Sequence, residues 1–262
     1  MKTFILPSLL LALVASTNVH AFGHSKCQDQ AKLVSASTDG DFKTVSRLLA
    51  RGSDVDVIDC QYGETALMMA AWNGHTDIAK ALIAAKAKVD LQDFGGESAL
   101  MKAVWNDGSD IVNILIAAKA TVNLQDASGL SALMKASRTG NGEIVNALIV
   151  ANANLDDLDN SGESALIHAV ETGAADIVSV LIKAKANLNI QLSNGATALT
   201  VATNHDIGDL SSNFGKGEAE RMWLASSRIA DELILAGANI ELPSCWRMTA
   251  LQFAAANGNV MF

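Results

Sequence analysis

Ser98-Ala99-Leu100-Met101-Lys102-Ala103-Val104-Trp105 is answered 33 residues later by Ser131-Ala132-Leu133-Met134-Lys135-Ala136-Ser137-Arg138. The same register holds outward in both directions. Thr65-Ala66-Leu67-Met68 precedes it, Ser164-Ala165-Leu166-Ile167 and Thr197-Ala198-Leu199-Thr200 follow, and a small residue stands three places after each Leu (Ala70, Ala103, Ala136, Ala169, Ala202). Self-similarity at this period marks a solenoid, in which each unit is one supersecondary element unable to bury its apolar face alone. Neighbours stack and contacts stay local, so function belongs on a surface.

Within the unit from Asp59, Thr65 stands where its hydroxyl can accept an orphaned N–H of a first helical turn. Asn73-Gly74 breaks that short helix, and Asp77 opens a second one with its carboxylate at the positive end of the dipole. Ile78, Leu82 and Ile83 form the inward stripe, and Lys86 closes the helix. Val89-Asp90-Leu91-Gln92-Asp93 then alternates like a hairpin arm, and Phe94-Gly95-Gly96 turns into the next unit.

The pattern resembles the ankyrin repeat, a 33-residue hairpin-helix-turn-helix unit with the hallmark Thr-Pro-Leu-His-x-Ala. The resemblance covers residues 26 to 262 and implies an all-α repeat solenoid of helix-turn-helix units joined by β-hairpin-like loops. Ala takes the Pro position at Ala66, Ala99, Ala132, Ala165, Ala198 and Ala250. Met68, Met101 and Met134 take the His position, which implies that part of the family's polar network becomes apolar contact. The Gly that ends the second helix is kept at Gly52 and Gly237 but becomes Lys86, Lys119, Asn152 and Lys185 in between, a costlier left-handed cap.

The units are expected at 26–58, 59–92, 93–125, 126–158, 159–191, 192–242 and an incomplete 243–262. The tetrads at Thr197 and Thr249 are 52 residues apart, so 19 are extra. Ile229, Leu233 and Ile234 still match a second helix, which places the insertion at 204–223. Its polar, Gly-bearing first part is either functional or disordered, and Glu218 to Trp223 is expected to merge into that helix.

Residues 1–21 carry Lys2, an apolar run from Phe4 to Ala15 and then Val19-His20-Ala21, which reads as a cleaved secretory signal. The run is too short for a membrane anchor, and His24-Ser25-Lys26 does not suit a lipoprotein anchor on Cys27. Export is therefore expected, to a periplasm if the source is bacterial and otherwise by secretion. No Asn-x-Ser/Thr acceptor occurs, which suits the periplasm. The net charge of −9 disfavours nucleic acid and anionic membranes as partners. Cys27, Cys60 and Cys245 sit in a disulfide-permissive context. Repeat geometry sets Cys27 and Cys60 beyond bridging reach unless the N-terminal segment is displaced, and puts Cys245 five units from Cys60. Free or loosely paired thiols are the expectation, with an intermolecular bridge as the sharper alternative.

Chemistry is not visible. His75 follows Gly74 as in the family's Gly-His break, where it is a structural hydrogen-bonding residue by resemblance. His168 stands alone on a first helix, and the histidines and cysteines form no metal cluster. No nucleophile is paired with a base, and phosphate-loop and Gly-x-Ser-x-Gly motifs are absent. Asp59, Asp93, Asp126 and Asp159 recur once per unit, as turn acceptors do. The expectation is a monomeric, non-catalytic module without cofactor or metal.

What remains is a binding surface. The resemblance implies a concave face of hairpin tips and first helices that takes a protein partner. Tyr62, Trp72, Phe94, Trp105 and Arg138 are the candidates there, since aromatics and Arg dominate interface energetics. The alternative is that Trp72 and Trp105 only seal short helices. Lys102 and Lys135, on the same face, would meet a partner's acids or stand as solvated charges balancing Glu97 and Glu163. The competing function is a protective or structural periplasmic factor without one tight partner.

Overall fold

A computed structural model describes residues 32–203, 216–244 and 248–256. Helices alternate through them. Unit one gives α1 (32–38) and α2 (Phe42–Ala50), unit two α3 (Ala66–Trp72) and α4 (Thr76–Ala84), unit three α5 (Ala99–Trp105) and α6 (Ser109–Ala117). Unit four gives α7 (Ala132–Thr139) and α8 (Gly142–Val150), and unit five α9 (Ala165–Glu171) and α10 (Ala175–Lys183). Unit six gives α11 (Ala198–Thr203) and α12 (Lys216–Leu235), and unit seven gives α13 (Ala250–Ala256). First helices pack on first helices of neighbouring units and second on second, and the two helices of a unit pack on each other. This is an all-α solenoid.

The repeat tetrad explains the packing. Leu67, Leu100, Leu133, Leu166 and Leu199 are each about 1 % exposed, and the small residues after them are buried as completely. Thr65, Ser98, Ser131 and Ser164 cap the first helices by accepting the N–H three residues on. The methionines in the hallmark's His position keep part of the polar role that was expected to vanish. Thr65 donates its N–H to Met68 Sδ at 3.3 Å and Ser131 to Met134 Sδ at 3.4 Å, because a thioether is still a weak acceptor.

Second helices end as the sequence requires. Lys86, Lys119, Asn152 and Lys185 all lie at φ between 63° and 73°, the positions where Gly52 and Gly237 have φ 79° and 89°. The hairpins are short, with isolated antiparallel bridges at Ile58–Thr65, Gln92–Ser98 and Gln125–Ser131. They are tied to one another by side chains. Asp56, Asp90, Asn123 and Asp156 each accept the backbone N–H of a residue 31 or 32 positions later, in the next hairpin. Asn189 accepts from Asn239 at a separation of 50, so the rung survives the insertion between α11 and α12. The insertion's residues 204–215 lie outside the described residues, but α12 runs unbroken from Lys216, as expected of 218–223.

Cys60 is disulfide-bonded, so of the free or paired thiols expected from the sequence this one is paired. Its partner lies outside the described residues, as do both Cys27 and Cys245. His75 is structural as expected, its Nε2 lying 3.1 Å from the Thr38 carbonyl of the unit before.

Candidate functional site

The hairpin aspartates position the site. Asp93, Asp126 and Asp159 each accept two hairpin N–H groups on Oδ1, from Gly95 and Glu97, Ser128 and Leu130, and Ser161 and Glu163. With Oδ1 engaged, Oδ2 is aimed at the residue nine positions on, in the middle of the first helix. There it meets Lys102 at 2.8 Å, Lys135 at 2.6 Å and His168 at 3.0 Å.

Lys102 and Lys135 are therefore neither solvated nor presented to a partner. They are 7 % and 2 % exposed. Lys102 also pairs with Glu64 of the preceding unit and Glu97 of its own, both at 3.0 Å, and Lys135 with Glu97 of the preceding unit at 2.8 Å. Glu97 thus bridges two lysines of successive units. Burial alone would push its carboxyl up, but the hydrogen bonds and charges of Lys135 and Lys102 outweigh that and hold it below the usual range. Burial alone would lower Lys102, and its bonds to Asp93, Glu97 and Glu64 reverse this, so its ammonium titrates above the ordinary lysine value. Glu163, expected to balance a lysine, faces His168 instead.

The tryptophans roof this buried ladder. Lys102 Nζ lies 5.4 Å from the Trp72 ring centroid, and Trp105 is flanked by Lys135 Nζ at 5.0 Å and the Arg138 guanidinium at 5.7 Å. Trp105 also donates Nε1–H to Glu97 at 3.0 Å, so it is half-buried and partly structural. Trp72, 44 % exposed, offers its outer face to solvent.

Tyr62 and Phe94 sit beside them at the hairpin tips. They are 57 % and 68 % exposed, and Phe94 donates its N–H to the Tyr62 carbonyl at 2.9 Å. The Phe94 ring lies over Gly63, where an added Cβ would come within 2.6 Å of it, and Gly63 also has φ +74°. Only glycine allows that placement. Arg138 is exposed and continues the row. The structure thus brings Tyr62, Phe94, Trp72, Trp105 and Arg138 onto neighbouring units, with Lys102 and Lys135 beneath them.

Sequence reasoning missed two features. Glu64 as the acid that crosses into unit three is one; an acid kept at the same position as Glu97 was the available signal. The other is the setting of His168, which does not stand alone. It is 5 % exposed and faces Asp159, Glu163 at 3.5 Å and Glu171 at 3.9 Å. Its occupation of the repeat position of Lys102 and Lys135 could have revealed this. Burial, then the charges of Glu163 and Asp159, raise the Glu171 carboxyl, with Arg138 opposing.

An ankyrin-repeat family model matches the chain in three overlapping copies, over residues 33–126, 109–192 and 133–210. The chain belongs to the ankyrin-repeat family. Its solved neighbours include the ankyrin repeat domain of Bcl-3, a member of the IkappaB protein family, with a TM-score of 0.72 at 25 % identity over 85 % of this chain and 93 % of that one. Human mitochondrial disaggregase is 37 % identical over 84 residues, 32 % of this chain and 12 % of its own length. The bovine protein is 37 % identical over 82 residues, again 12 % of its length. The chain thus spans about an eighth of these curated relatives, and the likeness reaches only its repeats. Ankyrin repeats are protein-interaction modules, typically non-catalytic. Among the described residues no helix is long and apolar enough to cross a membrane.

Proposed function

We propose that this chain is an exported, non-catalytic ankyrin-repeat module that binds a protein partner across the tips of its second and third hairpins. The observation that carries this reading is the exposed row of Tyr62, Phe94 and Trp72, three large aromatics on adjacent units of a repeat stack. Large apolar side chains exposed together on adjacent units are costly unless something covers them. The buried lysines make it a prepared surface. Lys102 holds Trp72 from below, and Gly63 holds Phe94, so little side-chain freedom is left to lose on association. Arg138 and the outer edge of Trp105 extend the patch toward unit four.

Export rests on the amino-terminal signal pattern and is supported by the disulfide at Cys60, a bond that persists in oxidising compartments. Such a module serves as an adaptor, neutraliser, immunity-type protein or effector, and acts as a monomer. Crosslinking and mass spectrometry of the mature protein in its own compartment identifies the partner. Trp72→Ala should then remove more than about 2 kcal/mol of binding in calorimetry while circular dichroism stays unchanged. Unaltered affinity in both Trp72→Ala and Phe94→Ala would remove the surface from consideration.

A further inference from the structure

Lys102, Lys135 and His168 fill one repeat position, but their surroundings differ in charge. At the first two rungs an ammonium neutralises the hairpin carboxylates. At the third, an imidazole faces two hairpin carboxylates and one from the end of its own helix: Asp159 Oδ2 at 3.0 Å from Nε2, and Glu163 Oε2 and Glu171 Oε2 at 3.5 and 3.9 Å from Nδ1. Among the described residues no lysine or arginine forms an ion pair with any of the three. One donor atom from each of Asp159, Glu163 and His168 lies within 4.8 Å of the other two.

We propose that this rung is a binding site for a divalent transition-metal ion, zinc being the best fit, held by His168, Asp159 and Glu163 with Glu171 at its open side. Donor chemistry selects the ion class. One imidazole with two or three carboxylates suits zinc and its first-row neighbours, whereas calcium and magnesium take oxygen donors alone. Asp159 is prepared for ligation, because the N–H groups of Ser161 and Glu163 hold Oδ1 and leave Oδ2 directed at His168. His168 is fixed by burial in α9. Coordination at about 2.0–2.2 Å brings ligand atoms to about 3.3 Å apart. Glu163 and Glu171, with side chains 21 % and 44 % exposed, can make that contraction by rotating. The bound ion would fasten the 159–163 turn to its helix, as Lys102 and Lys135 fasten theirs.

The competing explanation is a simple substitution, with a protonated His168 standing in for lysine and no ion involved. His168→Lys separates the two, since it rebuilds the rung that already folds twice in this chain. The test is calorimetric titration of the chelator-treated, disulfide-intact full chain with zinc chloride at pH 7.5, with visible absorption of the cobalt-loaded protein as a second readout. Wild type should bind one equivalent saturably and gain about 5–10 °C in Tm at a hundredfold excess over Kd. His168→Lys and Asp159→Asn should each weaken binding at least tenfold, His168→Lys with an unchanged circular dichroism spectrum. Absence of saturable binding to wild type overturns the proposal. So does equal binding by His168→Lys, which would place the ion on other groups.

Discussion

Lys135 of one repeat donates to Glu97 of the repeat before it at 2.8 Å, in a setting where the lysine is 2 % exposed. Glu97 in turn accepts from Trp105 and pairs with Lys102, so one carboxylate joins two lysines and an aromatic of the proposed binding face. Stability and surface therefore share residues, and mutations on this face will separate less cleanly than those on the outer helices.

Removing the Lys135 ammonium leaves Asp126 and Glu97 short of a buried partner, so Lys135→Ala should cost about 3–5 kcal/mol. That matches the loss of about 2–5 kcal/mol expected for Leu133→Ala, which opens a cavity in the core. Exposed Lys80→Ala should stay within about 0.5. Urea denaturation of the three variants checks the order, and a Lys135→Ala midpoint equal to that of Lys80→Ala would mean that the ladder contributes nothing.

The ladder also sets pH limits. Glu97 has a depressed folded pKa, so its contribution is present above its unfolded value near 4.5 and lost as pH falls through the lower folded value. Lys102 has a raised folded pKa, so its contribution is present below its unfolded value near 10.5 and lost as pH rises beyond it. Stability measured from pH 3 to 12 should fall at both ends. Glu97→Gln should flatten the acid limb, and Lys102→Met the alkaline limb. Limbs that keep their slope in these variants would assign the dependence elsewhere.

Backbone strain offers a gain. Lys86, Lys119 and Lys185 hold left-handed caps that glycine adopts without penalty, at a cost of about 1–2 kcal/mol each. Glycine loses more freedom on folding, so each Lys→Gly change should stabilise by a net amount of about 0.5–1 kcal/mol. Thermal melts of each single variant should show a higher Tm than wild type, and an unchanged or lower Tm would mean that the caps carry no strain.

Export and oxidation are tested together. Native mature protein should begin at Phe22, and non-reducing peptide mapping should find the Cys60 peptide crosslinked. An intact Met1 with a free Cys60 thiol would return the chain to a reducing compartment.

The fold was legible because the 33-residue register fixes which residues face inward: the tetrad Leu is buried from Leu67 through Leu199, while Leu251 of the last tetrad, with no further described unit stacked on it, is exposed. The left-handed lysine caps and the continuous helix after the insertion followed from the same comparison. The chemistry beneath the face was not legible. A lysine on a first helix reads as solvated in one dimension, and only the hairpin, folding Asp126 back nine residues, turns it into a buried pair. His168 was misread for the same reason.

The central claim is that the Tyr62, Phe94 and Trp72 tips are covered by a protein in the native compartment. A photo-crosslinking amino acid at Phe94, which is 68 % exposed, tests this most directly against the same group at Val150, 83 % exposed on an outer helix. The expected result is one discrete adduct from position 94 that disappears in a Trp72→Ala background and is absent from position 150. Equal adducts from both positions, or none from 94 in cells where 150 reacts, would contradict the account.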